Sequence, residues 1–147
     1  EVTLNMDNTA SYNVLEANIG GAHIALSPDG SLLYVVSGSN VRTYELGNGF
    51  INDVNIQTAG GQNLSGFPSA VCGVDGVLYA GDDGADQVYT INPLTGIAVP
   101  FGPVTPLNGG DLIFAGGELW SIHRGDNKAY LVSDGGATSF DIPAANW

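Results

Sequence analysis

The amino-acid sequence predicts an all-β fold made of repeated four-stranded units, and three observations lead to this prediction. Short apolar runs alternate with clusters of glycine, asparagine, aspartate and proline, as in strands joined by tight turns. Glycine makes up 22 of the 147 residues without a triplet period, which is typical of turns and not of collagen. Similar segments also recur about every 40–45 residues, which is the length of one four-stranded unit.

The predicted strands form one pair followed by three groups of four. The pair spans 2–5 and 11–16. The groups span 23–27, 31–37, 41–46 and 50–56; then 67–72, 77–81, 87–92 and 97–101; then 111–115, 118–123, 128–133 and 138–142. We assign the groups to units 19–60, 61–106 and 107–147 of a single domain, in which 1–18 holds the pair.

Each group of four carries the same sequence signals. A tight turn leads into a Leu-aromatic pair in SPDGSLLY, VDGVLY and AGGELW, and a second aromatic strand and a glycine-containing turn follow. A four-stranded unit repeated at this period is typical of a β-propeller blade. We therefore expect Leu33, Leu78 and Leu119 to be buried, equivalent residues between blades.

One stretch also carries a family resemblance. IALSPDGSLLYVV at 24–36 resembles the repeat of bacterial surface-layer (YVTN-type) propellers and of their NHL and lactonase-like relatives. The resemblance implies a propeller architecture and leaves the activity open, because this architecture hosts many unrelated functions.

The number of predicted strands is too small for a closed ring. The pair at 1–18 supplies only the two outer strands of a blade, so the chain holds about three and a half blades, whereas propellers close with about four to eight. We expect the chain to be part of a larger propeller of the seven-bladed type, with the remaining blades in further sequence or in a partner chain. A bent β-sandwich is the structural alternative.

The composition excludes several classes of function. Three Lys and Arg residues against fifteen Asp and Glu residues give a formal net charge of -12. Such a chain lacks the clustered basic side chains that nucleic acids and anionic lipid surfaces require. We also expect no membrane insertion, because no apolar run approaches about 18 residues. The single cysteine, Cys72, cannot form an internal disulfide.

Three polar residues are predicted at the starts of the innermost strands. His23, Ser69 and Asp111 occupy matching positions in the three blades and are expected to face one another at the mouth of the central channel. They suit a polar ligand or a metal, and the alternative is simple polar lining of the channel. The lactonase-like resemblance implies a channel metal, for which only Asp111 and His23 stand in comparable places. His123 is interpreted as an exposed hairpin residue.

Two loop motifs are further candidates. Asp82, Asp83 and Asp86 offer several oxygen ligands to Ca²⁺, and their alternative is a polar turn in which carboxylates accept backbone hydrogen bonds. The tripeptide Arg124-Gly125-Asp126 lies on a predicted hairpin and could act in integrin-type adhesion, or simply form a good turn.

Aromatic residues at the blade period suggest carbohydrate as a partner, since flat rings stack on sugars. The alternative is packing between the twisted sheets of neighbouring blades. The residues are Tyr34, Tyr44, Tyr79, Tyr89, Trp120 and Tyr130.

The leading functional hypothesis is a non-enzymatic, secreted or cell-surface propeller module for adhesion, matrix or filament assembly. It rests on the low lysine content and on a fold that presents a wide, rigid surface. Two alternatives stay open. One is half of a metal-dependent, lactonase-like hydrolase, and the other is a half-ring subunit that a partner chain completes. No cofactor is expected beyond a candidate Ca²⁺ ion.

Overall fold

The computed structural model describes residues 2–4, 10–12, 22–107 and 110–143, and only the backbone of the first two ranges. The N-terminal pair of strands is β1 (Val2–Leu4) and β2 (Ala10–Tyr12), which are antiparallel with Thr3 opposite Ser11. This confirms a hairpin at the N-terminus. The rest of the predicted unit 1–18, and Trp147 at the other end, lie outside the described residues.

Three four-stranded antiparallel sheets follow, as predicted, and each is one blade. The first blade contains β3 (His23–Leu26), β4 (Leu32–Ser37), β5 (Asn40–Glu45) and β6 (Gly49–Asn55). After β7 (Gln57–Thr58), the second blade contains β8 (Ser69–Cys72), β9 (Leu78–Asp82), β10 (Gln87–Ile91) and β11 (Ile97–Phe101). The third blade contains β12 (Asp111–Ala115), β13 (Glu118–His123), β14 (Lys128–Leu131) and β15 (Ser139–Asp141).

Aspartate and glycine shape the turn between the first two strands of a blade. In the first blade, the Asp29 carboxylate accepts hydrogen bonds from the Ser27 hydroxyl at 2.6 Å and from the Ser31 backbone N–H at 3.0 Å. These hydrogen bonds lower the pKa of Asp29 to about 2. Gly30 follows with φ of 71°, a left-handed conformation that glycine adopts without steric cost. The SPDG segment therefore encodes its turn directly.

Two local features depart from the predicted strands. The short strand β7 lies parallel to β11 and adds a fifth strand to the outer edge of the second blade. The strand predicted to end at 133 instead ends at Leu131, because residues Val132–Asp134 form a single 3₁₀ turn. Neither segment carries an apolar alternation that would have predicted its conformation.

The blades pack through the two residues of the Leu-aromatic pair. Tyr34 of the first blade and Leu78 of the second lie in one buried cluster, whereas Tyr79 of the second blade and Leu119 of the third lie in the next. Successive residues of a strand point to opposite faces. At both contacts between described blades, the aromatic residue of one blade therefore faces the leucine side of the next.

In the first and third blades, the sheet face that points away from the second blade is less covered by other residues. Leu78 and Leu119 are 1% and 4% exposed, whereas the equivalent Leu33 is only half-buried. Leu33 shares its face with Leu26, which is 49% exposed, because this side of the first blade meets no described four-stranded sheet. The three leucines occupy equivalent strand positions, as predicted. Leu78 and Leu119, which face a neighbouring blade, are buried, whereas the prediction that Leu33 is buried is wrong.

Four of the six repeating aromatic side chains are buried. Tyr34, Tyr44, Tyr79 and Tyr89 are each exposed by 9% or less, so these rings pack within the core. Trp120 is half-buried, and its ring meets the ring of Phe140 edge-on, with the ring centroids 5.1 Å apart. Within the described part of the chain, no helix has the length and hydropathy to cross a membrane.

We predict that Leu78→Ala lowers the free energy of unfolding by about 2–5 kcal/mol, because truncation leaves a cavity between two blades. Leu33→Ala is the matched control and is expected to cost clearly less, since Leu33 is only half-buried. Urea denaturation followed by circular dichroism measures both changes. Equal losses for the two variants would contradict the packing scheme.

Candidate functional site

A groove opens at the end of the blades where their first strands begin. It has a volume of about 580 Å³ and spans the three blades, from His23 through Pro68 to Asp111. The hairpin between β13 and β14 closes one side with His123, Arg124 and Asn127. Such a volume lies within the range of about 300–1,000 Å³ that small-molecule sites occupy.

The first strands of the three blades begin at the three residues singled out from the sequence. His23 starts β3, Ser69 starts β8 and Asp111 starts β12. His23 and Asp111 both line the groove, but Ser69 is 2% exposed and does not line it. A Cβ at Gly81 would come within 2.8 Å of the Ser69 hydroxyl oxygen, so the serine side chain packs over this glycine.

A close backbone approach fixes the start of β12. The position before Asp111 is Gly110, and any Cβ there would overlap the carbonyl oxygen of Ile122 on the neighbouring strand. Only glycine fits such an approach. The Asp111 carboxylate is exposed, and one of its oxygens accepts a hydrogen bond from the backbone N–H of Leu112 at 2.8 Å.

His123 is part of a hydrogen-bonded cluster that the sequence interpretation missed. The His123 Nδ1 atom lies 2.7 Å from a carboxylate oxygen of Asp126, and the Tyr130 hydroxyl donates to the other oxygen. The tyrosine ring also meets the imidazole edge-on, with ring centroids 5.8 Å apart. The carboxylate orients the imidazole. Because the contact is made by Nδ1, the His123 Nε2 atom takes no part in this cluster. The His-x-x-Asp spacing across a hairpin was the available signal.

The Tyr130 hydroxyl and His123 together lower the pKa of Asp126, and the hydrogen bond from Tyr130 is the largest cause. The same hydrogen bond raises the pKa of Tyr130, because ionised tyrosine could no longer donate it. Asp126 therefore stays ionised to a lower pH than an ordinary aspartate does.

The side chains of the Arg-Gly-Asp tripeptide have different surroundings. Arg124 is exposed, lines the groove, and has no acidic side chain within ion-pair distance among the described residues. Asp126 is engaged by His123 and Tyr130 and is not presented as an isolated carboxylate. Gly125 lies between them in the exposed turn. The adhesion hypothesis stays a prediction.

The three aspartates of the loop between β9 and β10 have separate surroundings. Asp82 is buried. Its Oδ1 atom accepts hydrogen bonds from the backbone N–H groups of Gly84 and Ala85, with N···O distances of 3.0 and 3.2 Å. Asp86 accepts the backbone N–H of Leu107 at 3.2 Å, and Asp83 is exposed. Within the described ranges, no group of three or more His, Cys, Asp or Glu side chains is placed to hold a metal ion. Calcium binding here stays a prediction.

The basic side chains are unevenly distributed. Arg42 pairs with Asp53 at 2.9 Å at the outer edge of the first blade, and Lys128 lies 3.8 Å from Asp141 in the third. The remaining three, namely both histidines and Arg124, all line the groove.

Several solved structures share the propeller fold. Virginiamycin B lyase from Staphylococcus aureus aligns with a TM-score of 0.58 and 18% identity over 98% of this chain. Its catalytically inactive histidine-to-alanine variant with quinupristin aligns with a TM-score of 0.61. A 6-phosphogluconolactonase-like protein from Bacteroides uniformis gives 0.57 at 17% identity over 95% of this chain. An auxiliary nutrient binding protein from Bacteroides thetaiotaomicron gives 0.52 at 16% identity over 89%.

The chain spans 49% of the length of the lyase, 50% of the lactonase-like protein and 30% of the nutrient binding protein. No protein-family model matches the sequence, and no curated protein matches it. At these identities the likeness concerns the fold alone. The chain therefore has a partial β-propeller fold, and the solved relatives of this fold include both enzymes and a binding protein.

We predict that Tyr130→Phe raises the pKa of the Asp126 carboxyl towards its ordinary value of 3.8, because the main hydrogen bond to the carboxylate is lost. Carboxyl carbon chemical shifts followed by NMR between pH 2 and pH 6 would measure this change. In the unaltered chain, the stabilising contribution of Asp126 is present above its unfolded pKa and is lost as the pH falls through the lower folded value. An unchanged titration curve would contradict the assigned cluster.

Proposed function

We propose that this chain forms part of a secreted or cell-surface β-propeller that recognises a ligand or partner without converting it, in adhesion, matrix or filament assembly. The groove lined by His23, Asp111 and Arg124 is the proposed recognition site. One observation carries this proposal. In a chain of net charge -12, three of the five basic side chains, counting the histidines, converge on one groove.

The location of the groove supports recognition by a rigid scaffold. Its polar side chains stand at strand starts and on a hairpin, where packed sheets hold the backbone while the loops stay accessible. Ile122, Ile142 and Pro68 supply apolar surface beside the polar groups. This mixture of apolar lining with a few convergent polar groups is typical of binding sites for small molecules.

The proposed propeller needs further blades. Trp120 and Phe140 lie on the face of the third blade that corresponds to the covered Tyr79 face of the second. We propose that a further blade, from additional sequence or from a protein partner, packs on this face. The family that we propose for this propeller is the one that the sequence resemblance indicates, namely the surface-layer (YVTN-type), NHL and lactonase-like propellers.

Fragment mapping by NMR tests the recognition site. We expect small polar fragments, added as mixtures of carboxylic acids, amines and monosaccharides, to shift the amides of His23, Asp111, His123 and Arg124 together. The control region is the larger groove of about 790 Å³ between the first and second blades, lined by Thr43 and Thr90 among others. Shifts centred on that region, or no shifts at the proposed site, would contradict the proposal.

A second candidate is an enzyme, either lactonase-like and metal-dependent or lyase-like. It is favoured by the His123–Asp126 pair, in which a carboxylate orients an imidazole as it would for a general base. Replacement of a histidine inactivates the aligned lyase. Hydrolysis of gluconolactone with Mg²⁺ or Ca²⁺ present tests the lactonase form. A rate above buffer that His123→Ala abolishes would favour the enzyme over the binding module.

A further inference from the structure

We infer that the groove binds a hydroxylated carboxylic acid, of the size and chemistry of an acidic monosaccharide, through an ion pair between its carboxylate and Arg124. This inference rests on the proposed recognition function and names the class of ligand. It was not available from the sequence, because Arg124 and His23 are 101 positions apart and meet only in the folded chain.

Arg124 supplies the anchor for a carboxylate. A guanidinium group can donate two parallel hydrogen bonds to the two oxygens of one carboxylate. Arg42 and Lys128 already lie beside Asp53 and Asp141, whereas Arg124 has no acidic partner among the described residues. Asp126 is next but one in the chain, but its two oxygens are engaged by His123 and Tyr130. The Arg124 guanidinium is thus available to a ligand.

The charge of the site favours a monoanion over a phosphate ester. The groove holds one permanently charged cation, Arg124, and the exposed carboxylate of Asp111, in a chain of net charge -12. Because these two charges offset each other, a phosphate group adds about −1.5 to −2 of uncompensated charge to the groove. A carboxylate adds only −1, so it is the less unfavourable anion beside the one guanidinium.

The other lining groups suit hydroxyl groups on the same ligand. Asp111 offers carboxylate oxygens as acceptors, and the Asn127 amide offers both a donor and an acceptor. Ile122 and Ile142 provide apolar contact for the C–H face of a sugar ring. An acidic sugar combines all these chemistries, whereas a simple aliphatic acid would leave Asp111 and Asn127 without ligand partners.

Isothermal titration calorimetry with two probes of nearly equal shape tests the inference. The probes are D-glucuronate and its methyl ester, which keeps the hydroxyl groups but loses the charge. We expect glucuronate to bind more tightly than the ester by about tenfold or more, as for a hydrogen bond between charged groups. Arg124→Gln should remove this preference, so that the acid and the ester bind the variant with equal affinity. Thermal unfolding followed by circular dichroism verifies that each variant is folded.

Arg42→Gln is the matched control, because it removes the same charge at a site outside the groove. It should leave glucuronate binding unchanged. Equal affinity for acid and ester, or equal losses in the two arginine variants, would overturn the inference. Absence of heat with both probes would also overturn it, while fragment shifts at the groove would keep the proposed recognition site. Tighter binding of glucose 6-phosphate than of glucuronate would overturn the preference for a monoanion.

Discussion

The packing of one twisted sheet on the next is the interaction on which the rest of this structure depends. Each blade has an aromatic side chain on one face and a leucine on the other, so Tyr34 meets the cluster of Leu78, and Tyr79 meets that of Leu119. Burial of apolar surface is the main favourable term in folding, and a single four-stranded sheet cannot bury both of its faces. The second blade is therefore stabilised from both sides, whereas the first and third blades each keep one less covered face.

This stack also creates the candidate site. Because the blades share one orientation, the starts of β3, β8 and β12 meet at the same end, and the hairpin carrying His123 and Arg124 lies beside them. The site itself contributes little to the core, since its charged groups are exposed or only half-buried. Its chemistry can therefore vary without loss of the fold, which is consistent with the different activities of the solved relatives.

The repeats made most of the fold predictable, because a Leu-aromatic strand after a tight turn fixes both the strand and its buried face. The strand starts at His23 and Asp111 followed from that register. Two features of β5 did not. Tyr44 lies opposite Leu33 on β4, whereas Tyr89 lies opposite Ala80 on β9. A β-bulge also interrupts the pairing of β5 with β6 between Thr43 and Tyr44. The contacts of Ser69 with Gly81, and of His123 with Asp126 and Tyr130, depend on side-chain geometry across strands, which the spacing of residue types does not determine.

Native-state hydrogen exchange of the 147-residue chain tests the central claim, namely that contact between blades stabilises each sheet. Amide protection reports local stability, and the amides of β9 and β10 belong to the blade that is covered on both faces. The account predicts the slowest exchange in these two strands and faster exchange in β13 and β14 of the third blade, although the strand pairing is the same. Equal protection of the second and third blades would contradict it, because a blade on the second face would then add nothing to the stability of a sheet.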